Sequence, residues 1–321
     1  MKIVVIGGGP AGSTVSRYLA NKFDVTLIQD KKWCKPCGGG TKTKIFKDFD
    51  LDKKLLKGTF SSFDMIYKKT NINLDILGDN LGIVFRDEFD EYLRKKAQQN
   101  GVKIIYDKLI DIQNNIAILK NNKIEFDILI AADGVNSIIR KILNIKEIPK
   151  VLTHYTTINK KTKKPIFYFD KIYGGNFYAW EFPHKNKTHI GSDAKTFENF
   201  KKHLNINTKN KGYYIPSWQE NITIQKENIY FVGDSAAQVM PLTFEGIHYV
   251  MESAKILANS IINNLDYQTE WNKRFLKEFR FMKKLEVYMN NNILRDLIMF
   301  AFRFKFIQKI VVKLWLEQIK L

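Results

Sequence analysis

Residues 2–6, Lys-Ile-Val-Val-Ile, form an apolar, β-branched run, the pattern of a strand buried on both faces. A helical pattern over Ser13–Lys22 and a second apolar run over Asp24–Ile28 follow it. The chain therefore opens as strand, helix, strand. Short strands are expected over 59–85, with turn points at Asn71 and Gly78. Asp87 as N-cap, Asp90 three places on, Leu93 and Ala97 on an apolar face and Gly101 at the end predict a helix. Strands are expected at 102–106 and 109–112, a hairpin at 116–126 across Asn121-Asn122, and a buried strand at Asp127–Ala132.

From 151 to 195 the pattern changes. Pro165–Asp170, Phe177–Pro183 and Thr188–Ser192 are rich in aromatics and alternate, which predicts an antiparallel sheet with one wet face. A polar, partly helical stretch at 196–211 precedes another buried strand, Ile229–Val232, and a helix over about 246–264. The expected architecture is α/β: a Rossmann-like dinucleotide-binding domain from 1–58, 81–150 and 223–264, interleaved with an antiparallel-sheet substrate domain from 59–80 and 151–222. Residues 265–321 would form a basic helical C-terminal segment.

Candidate chemistry sits where these strands end. Gly7, Gly9 and Gly12, with Pro10 and Ala11 between the last two, give G-x-G-x-x-G directly after the first strand. One glycine allows the tight turn, one lets backbone approach a pyrophosphate, and one lets helix and strand pack closely. The helix N-terminus then faces the phosphate charge. At the end of the second strand, where an acid normally receives the ribose hydroxyls, stand Gln29 and Asp30, either of which can serve. Asp133-Gly134 and Gly233-Asp234 end two further buried strands, and Pro241, Gly246 and Ile247 lead into a helix whose positive end suits an anionic ring. Arg86, before a helix start, is placed to clamp phosphate or ribose oxygens.

Trp33-Cys34-Lys35-Pro36-Cys37 is followed by Gly38, Gly39 and Gly40. Three glycines do not open a helix, so a thioredoxin-like motif is disfavoured. The glycines suit backbone lying flat against a planar ligand, with Cys37 at its edge as the one candidate for a catalytic side chain; a Cys34/Cys37 dithiol relay stays open. No second glycine fingerprint exists for a nicotinamide, so NAD(P)H would visit transiently as electron donor, or a protein or quinol would supply electrons. None of the five histidines has metal-site or triad spacing, and His184 reads as a surface loop residue.

Composition adds three points. The 321 residues suffice for a large core, and two cysteines with no leader pattern before the first strand point to a reducing, cytoplasmic setting. The net charge of +19 invites nucleic acid, but no recognition helix, zinc spacing or RNA-binding aromatic motif is present, so no nucleic-acid partner is expected. Segment 270–321 carries 12 Lys+Arg against 5 Asp+Glu. Its apolar stretch, Ile293–Leu316, is interrupted by Arg295, Arg303, Lys305, Lys309 and Lys313. That suits an amphipathic helix on an anionic membrane surface, or one packed with a solvated basic face, and not a span.

Together these motifs resemble the FAD-dependent oxidoreductases built like p-hydroxybenzoate hydroxylase, and most closely the geranylgeranyl reductase family, over about residues 1–260. The resemblance implies FAD, with its pyrophosphate on Gly7–Gly12 and its ring beside Pro36–Gly40. It also implies an arginine element at Arg86, adenine against the Leu109 backbone, and the motifs Ala132–Arg140, Gly233–Ala237 and Pro241–Ile247 around the cofactor. Tyr178-Ala-Trp180-Glu-Phe182-Pro183 looks like the family's substrate-cavity motif. Phe244 departs from a usual glycine and Gln29 from a usual glutamate. The implied activity is reduction of C=C bonds in an isoprenoid: a lipid, a quinone tail or a prenyl diphosphate. A flavin hydroxylase acting on an aromatic or quinone precursor is the rival, and a non-catalytic flavin- or lipid-binding protein is the alternative from another class.

Overall fold

The computed structural model describes residues 1–31 and 35–318; Cys34, and with it the dithiol question, lies outside the described residues. The chain divides into two compact units, one of 1–35, 86–150 and 215–280, the other of 36–85, 151–214 and 281–321. Residues 36–58 thus group with the antiparallel sheets, and the C-terminal segment divides between the units after Arg280. Trp271, Phe275 and Phe279, all nearly or fully buried, pack with Tyr249 and Trp218 in the first unit.

The first unit is built on a six-stranded sheet in the order 225–226, 229–231, 128–131, 2–6, 24–29, 103–106. All neighbours are parallel except the edge strand 225–226. Ile3 pairs with Val25 on one side and Ile128 on the other, and Ile3–Val5 are at most 1% exposed, as their apolar run requires. Chain order runs outward from strand 2–6 to 103–106, then returns to 128–131 on its other flank. Such a reversal opens a crevice at the carboxyl ends of the strands. The first helix is Pro10–Leu19, three residues earlier than its apolar pattern suggested, because proline starts a helix readily. Likewise the helix expected to be capped by Asp87 begins at Arg86, which puts Asp87 in its first turn.

The second unit holds a seven-stranded sheet in the order 211–216, 150–158, 187–193, 179–184, 166–168, 62–67, 70–75, and a small sheet of 40–42, 81–84 and 56–60. Asn71 lies within strand Thr70–Asp75, not at a turn; the turn is at Lys68, which takes a left-handed φ of 52°. The expected wet face is absent from the sheet's centre. Ala179, Trp180 and Glu181 are all buried, and Thr188–Asp193 likewise. Helix Phe197–His203 covers that face with Phe197 and Phe200, both 0% exposed. His184 ends a strand rather than sitting in a loop, its ring 3.9 Å from that of Phe85.

Candidate cofactor and substrate sites

In the first unit three strand ends converge on one crevice. A Cβ on Gly7 would lie 2.3 Å from the Ala132 carbonyl oxygen, and one on Gly12 would lie 1.8 Å from that of Gly7. Gly233 presses on Ala11 in the same way, at 2.8 Å. No side chain larger than hydrogen fits at these contacts, which explains the glycines at the carboxyl ends of strands 2–6 and 229–231. Gly7 has φ 105° and Gly233 φ 77°, backbone that other residues rarely adopt.

The crevice fits a dinucleotide. A Cβ on Gly9, or on Gly134, would meet nothing within 4 Å. Gly9 caps the first helix without a side-chain hydrogen bond, so the N–H groups of the first turn are presented to an anion there. Beneath the loop, Gly8 N–H donates to Gln29 Oε1 at 2.6 Å, and Gln29 Nε2 donates to the Lys31 carbonyl at 2.8 Å. Gln29 is thus committed to the glycine loop, leaving Asp30 as the exposed acid at the strand's end.

Arg94, which sequence reading passed over, is the loop's other support. Its Nη1 donates to the Gly8 carbonyl at 2.9 Å, and its methylenes lie where a Cβ on Gly8 would sit. The residue is 6% exposed, and its position four places after Asp90 on one helix face was the available signal. Arg86 forms a fork on Asp90, Nε to Oδ1 at 2.8 Å and Nη2 to Oδ2 at 2.7 Å.

Asp133 follows strand 128–131 and is half-buried as a residue, with its Oδ1 enclosed. Its Oδ2 accepts from Ile139 N–H at 3.3 Å, while its Oδ1 has no hydrogen-bond partner. Burial raises its pKa to about 6, against the lowering effect of hydrogen bonds from Ser137 and backbone N–H groups. Arg140 ties this strand end to the next: Nε donates to the Ser235 carbonyl at 2.7 Å, Nη1 to that of Lys146 at 3.0 Å, and Nη2 to that of Thr223. Burial lowers its pKa to about 10. Ser235 Oγ bonds the Ala131 and Val232 carbonyls, and Asp234 pairs with Lys35.

Pro241 lies on the loop into helix Ile247–Asn263, which Gly246 caps and Ile247 begins. Phe244 and Leu242 occupy that loop with left-handed φ values of 51° and 66°, where glycine would be relaxed. Leu109 begins strand Leu109–Gln113 in a separate three-stranded sheet and is 3% exposed.

In the second unit, the Cys37–Gly40 stretch and the aromatic motif meet. A Cβ on Gly38 would lie 2.4 Å from Phe182 Cδ2 and 3.5 Å from Trp180 Nε1. Gly39 has φ 75°, its N–H faces Cys37 Sγ at 3.3 Å, and a Cβ there would lie 2.0 Å from the Val84 carbonyl oxygen. The Cys37 side chain is exposed. Trp180 and Phe182 fall on one face of strand Ala179–His184 by its two-residue period, and Tyr178 immediately precedes it. Phe167 joins them, with ring centroids 5.2 Å from Tyr178 and 5.4 Å from Phe182. Pro183 continues the strand. Trp180 spreads over Gly191, where a Cβ would sit 2.1 Å from its ring, and its Nε1 reaches His189 Nδ1 at 3.5 Å. Burial, aided by nearby His184, lowers the His189 pKa to about 4, so the ring is neutral at pH 7. On the opposite face Glu181, 0% exposed, is held by Tyr168 at 2.5 Å and Lys160 at 2.8 Å, which anchors the aromatic strand.

A family model, the pyridine nucleotide-disulphide oxidoreductases, matches residues 1–162. The chain is similar to the chloroplastic geranylgeranyl diphosphate reductase of Arabidopsis thaliana, 24% identical over 96% of this chain and 79% of that protein. It is also similar to the geranylgeranyl diphosphate reductase of Rhodobacter capsulatus, 27% identical over 80% and 73%. The fold matches the crystal structure of a geranylgeranyl bacteriochlorophyll reductase-like protein from Thermoplasma acidophilum, with TM-score 0.79 and 20% identity over 90% and 87% of the two chains.

Proposed function

This chain belongs to the pyridine nucleotide-disulphide oxidoreductase family and is an FAD-dependent oxidoreductase, and from that premise we propose that it reduces carbon–carbon double bonds of an isoprenoid chain. The observation that carries the reading is the pairing of a dinucleotide crevice with an aromatic wall, Tyr178, Trp180, Phe182 and Phe167, in one chain whose relatives bear the name geranylgeranyl diphosphate reductase. Bound FAD, once reduced by an electron donor, would supply the hydride that an isolated alkene needs, with a proton added at the other carbon. The chain's own residues hold and shield. The first-helix N–H groups and Gly9 receive the pyrophosphate, Arg94 and Gln29 hold the loop that presents them, and Asp30 takes the ribose.

The aromatic wall offers an apolar chain a surface with no charge, and apolar packing there excludes water. We assign Gly38–Gly40 and Cys37 to the edge of the flavin on the strength of the sequence resemblance, with NAD(P)H as electron donor. The cellular setting that goes with this reading is the cytoplasm, at the face of an anionic membrane reached through the basic segment 270–321.

The test is product identification. The purified holoenzyme, with NADPH or dithionite, is incubated without oxygen with geranylgeranyl diphosphate, a prenylated quinone and an unsaturated isoprenoid lipid in turn. Mass spectrometry showing the chain heavier by two hydrogens per reduced bond is the expected result. Turnover only with oxygen and an aromatic substrate would replace the reading with the hydroxylase.

A further inference from the structure

We propose that helices Asn292–Ala301 and Lys305–Trp315 seat this protein on an anionic lipid bilayer, with Ile293, Leu297, Phe300, Phe304, Phe306 and Ile310 entering the interface. Much of their apolar surface faces outward. Ile293 is 72% exposed, Phe306 62% and Leu297 59%, while the buried positions are Arg295 and Met299 on the first helix and Gln308 and Val312 on the second. Each buried polar side chain bonds backbone: Arg295 Nε donates to the Met289 carbonyl at 2.6 Å, with its Nη2 left without a partner, and Gln308 Nε2 donates to the Phe302 carbonyl at 2.7 Å. A helix that merely packs on its domain turns its apolar face inward. These two turn apolar side chains outward, at a cost in water that a covering phase removes.

The apolar residues are contiguous. Ile293, Leu297 and Phe300 recur at helical spacing on one face. Phe300 and Phe304 rings lie 5.5 Å apart and Phe304 and Phe306 rings 6.1 Å, which carries the patch across the turn between the helices. Beside it, Lys305, Lys309 and Lys313 recur every four residues as an exposed cationic stripe, and the Arg303 guanidinium lies 5.6 Å from the Phe300 ring centroid. The single carboxylate in 292–315, Asp296, is engaged by Lys68 at 2.6 Å and by the Tyr67 hydroxyl at 2.7 Å.

Charge decides the occupant. The centre of a protein–protein interface is depleted in lysine. An anionic bilayer instead accepts apolar side chains at the acyl boundary and pairs with lysines whose stems lie along it. Among the described residues no helix is long and apolar enough to cross a membrane, so the contact is peripheral. The inference shares the lipid setting of the proposed function but not its chemistry, and it stands if the substrate is another apolar compound.

The test uses full-length holoenzyme in co-sedimentation with vesicles of phosphatidylglycerol and phosphatidylcholine, against vesicles of phosphatidylcholine alone. Binding to the anionic vesicles, weakened by salt, is expected. Combined Lys305→Glu, Lys309→Glu and Lys313→Glu should weaken it about 100-fold, and Leu297→Ser with Phe300→Ser and Phe306→Ser should abolish it, with flavin content and circular dichroism unchanged. The lysine variants, at exposed positions, decide the matter if the serine variant folds poorly. Protein remaining in the supernatant would overturn the proposal. So would vesicle binding indifferent to the lysine variants, or a dimer in sedimentation velocity that Leu297→Ser dissociates while vesicles go unbound.

Discussion

Arg94 shows how much a single side chain can do without touching a ligand. Its guanidinium and the Ser13 hydroxyl both hold the Gly8 carbonyl, so the loop that receives phosphate is rigid before the cofactor arrives. Loss of a charged hydrogen bond costs about 1.5 to 3 kcal/mol. Arg94→Met should therefore weaken FAD binding by roughly 10- to 100-fold in a fluorescence titration of the apoprotein, with Arg94→Lys in between. Phe244 poses the opposite case. Its φ of 51° costs about 1 to 2 kcal/mol, of which glycine's greater freedom in the unfolded chain takes back about half. Phe244→Gly should raise stability by about 0.5 to 1 kcal/mol in chemical denaturation.

Asp133 adds a pH dependence. Its folded pKa of about 6 lies above the unfolded value of 3.8, so the folded state holds the proton longer. Stability is then lost as pH rises from about 4 through about 6, on the order of 3 kcal/mol from this group. In the apoprotein, Asp133→Asn should be close to wild type at pH 4 and more stable at pH 7.5, read by urea unfolding at both. Equal differences at the two pH values would contradict the assignment.

At the scale of elements, the parallel sheet was legible because each strand announces itself locally. Ile3–Ile6 and Leu129–Ala131 are continuous apolar runs closed by glycine or Asp-Gly, and such signals need no knowledge of partners. The central antiparallel strands were less legible. Glu181 reads as the wet side of an alternating strand, yet it is buried, because Lys160 and Tyr168, 21 and 13 residues away, neutralise and bond it. No local pattern reveals such partners. The same limit hid the role of Arg94.

Gly39 belongs to this scale as well, since it lets strand Gly40–Lys42 join strand Leu81–Val84, with Val84 N–H bonding the Gly39 carbonyl at 3.0 Å. Gly39→Ala meets both the positive φ and the Val84 backbone, and should cost about 1 to 3 kcal/mol with loss of thermal midpoint.

For the whole molecule, the excess of cations is unevenly used. Many lysines are solvated, but those of the last two helices border an apolar patch, an arrangement that composition alone could not distinguish from a solvated basic face. The two units divide the work in sequence terms. Residues 1–35, 86–150 and 215–280 carry the dinucleotide crevice, and residues 36–85, 151–214 and 281–321 carry the aromatic wall and the outward-facing helices. The order of motifs along the chain was readable because each is short and glycine- or aromatic-marked. The point where 36–58 passes to the second unit was not, because it depends on strand Gly40–Lys42 finding strand Leu81–Val84 some forty residues later.

Electron transfer from this flavoprotein to an isoprenoid double bond is the step on which the proposed function rests. The most direct measurement is a single turnover: holoenzyme reduced with dithionite under anaerobic conditions, mixed with geranylgeranyl diphosphate, and followed by flavin absorbance. The oxidised flavin spectrum should return without oxygen, faster than in the absence of the isoprenoid, with saturated product in matching yield. A spectrum that stays reduced with that isoprenoid, with a prenylated quinone and with an unsaturated isoprenoid lipid would contradict it.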